Sequence, residues 1–268
     1  MNSGRLPRRQ FYIGYYNRAA AYRKAGKNKR ALADLNRVVK LRPRFAKAYF
    51  ARALIQHDLG SLDDALSDMD RYIALKPKYW SAYYSRAVLR RKKNDPDGAL
   101  ADLDKAASLK PDATEVDLMR ALTRSDKGEH TAAKAEIDKL ITARPSDAAA
   151  YYARAIVSFR QRQFDVTTAD LDKALSIKKN FAAAHALKGR VLEERGKTAE
   201  AKASFQQALA SPAELLDGKP AHAIARQRLG KEKGTGEDAV ALKSEPSQLG
   251  CRRFVPAVGM TLPFDCTE

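Results

Sequence analysis

Apolar residues recur three and four places apart in blocks of about a dozen, broken by short polar stretches, which is the signature of amphipathic helices. The blocks repeat one another. YYNRAAAY at 15–22 returns as AYFARAL (48–54), AYYSRAV (82–88) and AYYARAI (150–156). Its arginine stands at 18, 52, 86, 120 and 154, always 34 residues apart, and Lys188 continues the series. The next residue is small each time: Ala19, Ala53, Ala87, Ala121, Ala155, then Gly189. A second small position follows at Ala31, Ala65, Ala99, Ala133 and Ala201, with Thr167 as the one lapse. A large apolar residue keeps the same phase at Leu35, Met69, Leu103, Ile137, Leu171 and Phe205, and prolines close units at 43, 77, 111 and 145. A fixed period of this length predicts stacked helix pairs, each unable to cover its apolar face alone. The small residues let the two helices of a pair approach. Asp95 before Pro96 reads as an N-cap followed by the first helical position.

These motifs resemble the tetratricopeptide repeat family. Six repeats are expected at 12–45, 46–79, 80–113, 114–147, 148–181 and 182–215, about three-quarters of the chain. The expected fold is all-α, a right-handed α-solenoid of 34-residue helix-turn-helix repeats. Residues 1–11 read as a basic lead and 216–231 as a capping helix, with Ala223, Ile224 and Leu229 covering the last repeat. Residues 232–250 read as a flexible linker, and 251–268 as an apolar tail bounded by Cys251 and Cys266. A disulfide between those two would stabilise a hairpin-like lobe by about 2–3 kcal/mol.

An acid lies 16 residues after each arginine of the motif. The pairs are Arg18–Asp34, Arg52–Asp68, Arg86–Asp102, Arg120–Glu136 and Arg154–Asp170. An antiparallel hairpin brings such positions together, so a structural salt-bridge ladder is expected. A second series, Asn36, Asp70, Asp104, Asp138 and Asp172, each followed by Arg or Lys, reads as a solvated outer face.

The resemblance implies that the first helices of successive repeats line a concave groove. On that basis Tyr16, Phe50, Leu54, Tyr84, Val88, Tyr152 and Ile156 are expected contacts. Arg23, Lys24, Arg91 and Lys92 form a basic edge. The expected partner is a protein or peptide with apolar anchors and an acidic segment. The family's carboxylate clamp for chaperone C-termini needs Lys and Asn, then Asn, then Lys and Arg in three successive units. The matching residues in units two to four are Phe50, Leu54, Ser85, Glu115 and Met119, so no such clamp is expected.

Charge adds a second reading. The chain carries a net +18, and residues 1–44 hold nine Arg and four Lys against the single acid Asp34. With Tyr15, Tyr16 and Tyr22 nearby, the basic N-terminal edge is also a candidate for nucleic acid. Catalysis finds no support. His57, His130, His185 and His222 are far apart, no nucleophile has a nearby base, and no phosphate loop or zinc spacing is present. No catalytic residue, metal or cofactor is expected. No apolar run is long enough to cross a membrane. The N-terminus lacks the apolar core of a signal peptide, which favours the cytoplasm. The cysteine pair would suit an oxidising compartment if the true start lay upstream.

Overall fold

In the computed structural model the periodic blocks become helices of 11–14 residues. The structure describes residues 11–212, 218–230, 252–255 and 260–263. The helices fall into two compact units, divided after Asp112. The first unit holds α1 (Phe11–Lys24), α2 (Asn28–Leu41), α3 (Ala46–Asp58), α4 (Leu62–Leu75), α5 (Trp80–Lys92) and α6 (Pro96–Leu109). The second holds α7 (Thr114–Asp126), α8 (His130–Ala143), α9 (Ala148–Arg160), α10 (Phe164–Ile177), α11 (Ala182–Glu194), α12 (Thr198–Ala210) and α13 (Gly218–Arg228).

Each odd helix up to α11 pairs with the even helix after it. The chain reverses between them through one residue of left-handed backbone. Gly26, Gly60, Gly128 and Gly196 have φ between +70° and +86°, and Asn94 and Arg162 take the same place at 62° and 58°. The next N–H then bonds five residues back, as from Lys27 to Tyr22 O at 2.8 Å, which closes the helix end. Asp95 caps α6 as its sequence suggests, accepting from the Gly98 N–H at 2.9 Å.

The small positions sit where the paired helices touch. Ala19, Ala53, Ala87, Ala121 and Ala155 are fully buried, and so are Ala31, Ala65, Ala99 and Ala133. Thr167 fits the same slot because its hydroxyl donates to the Gln163 carbonyl four residues back, at 2.8 Å. Gly189 differs for a local reason. A Cβ there would lie 2.6 Å from the Phe205 ring, which replaces the Leu, Met or Ile of earlier repeats.

Successive repeats join through the first helix of one and the second helix of the one before. In the first unit Ala48 and Ile55 of α3, with Ala51 beside them, pack on Leu35 and Val38 of α2. In the second, Ala150, Ala153 and Val157 of α9 pack on Ala133 and Ile137 of α8.

Among the described residues the cap is α13, and its buried face matches the expected one only in part. α13 packs on α11 and α12 through the buried Ala221 and Ala225, with Ile224 and Leu229 partly buried beside them. Ala223 is exposed, because burying 221 and 225 turns position 223 outward by half a helical turn. Among the described residues one segment departs from the helical class. β1 (Arg252–Val255) pairs antiparallel with β2 (Met260–Pro263), Arg252 opposite Pro263. The basic lead at 1–10, the linker at 232–250, and Cys251 and Cys266 lie outside the described residues.

Candidate functional site

The arginine of the repeating motif forms a two-armed staple. One arm grips its own hairpin. Arg52 donates to both oxygens of Asp68 at 2.7 and 2.6 Å, Arg86 to Asp102 at 2.9 and 2.6 Å, and Arg154 to Asp170 at 2.9 and 2.6 Å. Arg18 holds Asp34 in the same fork at 2.7 Å. The hydrogen bonds from Arg18 hold the Asp34 carboxyl below its ordinary pKa, and the guanidinium pKa values of Arg18, Arg52, Arg86 and Arg154 rise correspondingly. The other arm reaches the preceding repeat: Arg52 to Asn36 at 2.9 Å, Arg86 to Asp70 at 2.6 Å and Arg154 to Asp138 at 2.7 Å. Lys188 keeps only this second contact, to Asp172 at 2.6 Å.

Asn36, Asp70, Asp138 and Asp172 therefore join neighbouring repeats and are not merely a solvated face. The first tyrosine of each aromatic pair completes the motif. Its ring lies against the guanidinium three residues on, at 5.4–5.7 Å in Tyr15–Arg18, Tyr49–Arg52, Tyr83–Arg86 and Tyr151–Arg154. In the fourth repeat this tyrosine is Asp117. It pairs with Arg120 at 3.1 Å, and the Arg120–Glu136 contact lengthens to 3.8 Å while Arg124 meets Glu136 at 3.0 Å.

The expected groove contacts divide by burial. Phe50, Leu54, Tyr84 and Tyr152 are buried, with Tyr84 wholly so. Phe50 packs against Tyr72, Tyr84 against Trp80, and Tyr152 against Phe181. These four side chains are covered by the helices and loops around them. Tyr16, Val88 and Ile156 keep part of their surface, as do Arg23 and Arg91, and Lys24 and Lys92 are exposed.

At the ends of the first helices in the first unit, three repeats meet. Arg23 of the first approaches Asp58 of the second at 3.9 Å, and Lys92 of the third donates to His57 Nε2 at 2.6 Å. The His57 side chain is 8% exposed, and its Nδ1 stands 3.6 Å from Asp58, beyond hydrogen-bonding reach. His57 Nδ1 and the Oε1 of its neighbour Gln56 are buried without a hydrogen-bond partner among the described residues. Buried polar atoms without partners are uncommon. Sequence spacing placed Arg23 and Lys92 on one edge, but it gave no sign that His57 would be sealed between them.

The chain matches the tetratricopeptide repeat family over residues 16–79, 58–114, 118–177 and 182–213, and it belongs to that family of α-solenoid interaction scaffolds. Among solved structures it is similar to a tetratricopeptide repeat protein from Parabacteroides merdae, at 20% identity and a TM-score of 0.73, over 82% of this chain and 85% of that one. It is also similar to PilW, a type IV pilus biogenesis factor (20% identity, TM-score 0.59, 75% of this chain and 93% of that one). A third is pilF of Pseudomonas aeruginosa (15%, 0.54, 81% and 98%). At these identities the likeness is one of fold. No curated protein sequence matches. Proteins of this family are generally non-catalytic scaffolds. Among the described residues no helix is long and apolar enough to cross a membrane.

Proposed function

We propose that the protein is a non-catalytic scaffold whose first unit binds an acidic segment of a partner protein along the ends of its first helices. The observation that carries this reading is the three-repeat edge of Arg23, Lys24, His57 and Lys92, on which Lys24 and Lys92 are exposed. Cations there favour carboxylates and speed their approach. Tyr16 and Val88 supply partly exposed apolar surface beside the edge. The nucleic-acid alternative is weaker. Arg18 and Arg37 lie over the Tyr15 ring, and Arg18 and Arg30 over that of Tyr22. Those faces are then less open to stacked bases.

The test is fluorescence anisotropy of the full chain with a library of labelled Asp/Glu-rich peptides. Lys24→Glu with Lys92→Glu is expected to weaken the best binder at least tenfold. Binding that survives the double reversal, or a library without binders, overturns the reading. Preference for labelled single-stranded DNA over every peptide would favour the alternative.

A further inference from the structure

The first helix carries a repeat-to-repeat joint with only one half present among the described residues. In later repeats the third, sixth and tenth positions make this joint: Ala48, Ala51 and Ile55 on α2, and Ala150, Ala153 and Val157 on α8. The same positions of α1 are Gly14, Asn17 and Ala21, all exposed, and a Cβ added at Gly14 would meet nothing within 4 Å. Phe11 and Ile13 beside them are 46% and 47% exposed. The staple is half used as well. Arg18 spends Nε and Nη2 on Asp34, and its Nη1, the arm that reaches back in Arg52, Arg86 and Arg154, has no partner among the described residues. Its side chain is 50% exposed, against 18%, 16% and 23% in those three.

We infer that this face docks an acidic amphipathic helix of a partner protein, held as the protein holds its own repeats. The later joints specify the occupant. Each second helix presents an apolar residue, an acid or amide next to it, and another apolar residue two places on: Leu35-Asn36-Val38, Met69-Asp70-Tyr72, Leu171-Asp172-Ala174. The acid or amide reaches the arginine or lysine of the next repeat. A partner helix with that pattern gives its apolar pair to the surface around Gly14 and Ala21 and its carboxylate to Arg18 Nη1. Charge selects an acidic helix over a second copy of this face. Residues 11–44 hold ten Lys and Arg against Asp34, which Arg18 already occupies, so two such faces repel.

The probe is a labelled peptide with the sequence of α4, LDDALSDMDRYIAL, stapled through its exposed Ser67 and Arg71 positions and titrated into the full chain. Binding is expected, with at least a tenfold loss for the Asp70→Ala peptide and for Gly14→Gln or Ala21→Glu in the protein. These protein sites are exposed, so the variants keep their fold, and circular dichroism checks it. No binding, or binding indifferent to Gly14→Gln, overturns the inference. So does self-association in sedimentation that Gly14→Gln abolishes, which would make the occupant a second copy. Oligo(dT) binding that Gly14→Gln removes while the peptide fails to bind would assign the face to nucleic acid instead.

Discussion

Single residues in this chain answer to a partner on the facing helix. Gly189 is the sixth member of an otherwise all-alanine series, and the Phe205 ring takes the space its methyl would need. Gly189→Ala is expected to destabilise the protein by about 1–3 kcal/mol, the usual cost of overpacking a core. Adding Phe205→Leu, which restores the earlier repeats' pairing, should recover much of the loss in urea denaturation. His185 also has a counterpart elsewhere. Tyr49 and Tyr83 donate their hydroxyls to the carbonyls of Pro43 and Pro77 six residues back, and His185 Nε2 donates to Lys179 O in the same place at 2.8 Å. Burial, with a smaller push from Lys188, lowers its pKa below the ordinary 6.5. The folded state thus favours the neutral ring. Its contribution is intact above pH 6.5 and is lost as pH falls through the lowered value. An NMR titration should place its midpoint below 6.5, and His185→Tyr should remove this part of the acid sensitivity.

At the scale of helices, the difference between a complete and an incomplete staple can be measured within the second unit. Arg154 is the partner of the buried Asp170 and also reaches Asp138. Arg154→Ala strands a buried carboxylate and is expected to cost about 3 kcal/mol. Arg120 meets a partly exposed Glu136 that Arg124 also contacts, so Arg120→Ala is expected to cost about 1 kcal/mol or less. Equal losses in chemical denaturation would refute the two-armed account. The hairpin half of this ladder was legible in the sequence, because a spacing of 16 spans one antiparallel pair. The backward arm was not. The spacing from Asp70 to Arg86 is also 16, but it runs from a second helix into the next repeat, and helical periodicity does not report on packing between repeats. The depth to which Phe50, Tyr84 and Tyr152 are buried was not legible either. Tyr72 covers Phe50 from the second helix of its hairpin and Phe181 covers Tyr152 from the loop after its hairpin, positions the one-dimensional pattern does not align with them, whereas Trp80 meets Tyr84 from one turn earlier on the same helix.

Across the molecule, the period gave the helix pairs and their order, since both follow from one pattern repeated. It did not give the division after Asp112, or which face of α13 is buried. The backward arm of the arginine has one more consequence. Within a unit, no hairpin is a self-sufficient module. Deleting one removes an acceptor from the arginine or lysine that follows it, or a cation from the carboxylate or amide that precedes it. Loss of a single repeat is therefore felt by its neighbours in the same unit, which makes each unit of small helix pairs a cooperative body.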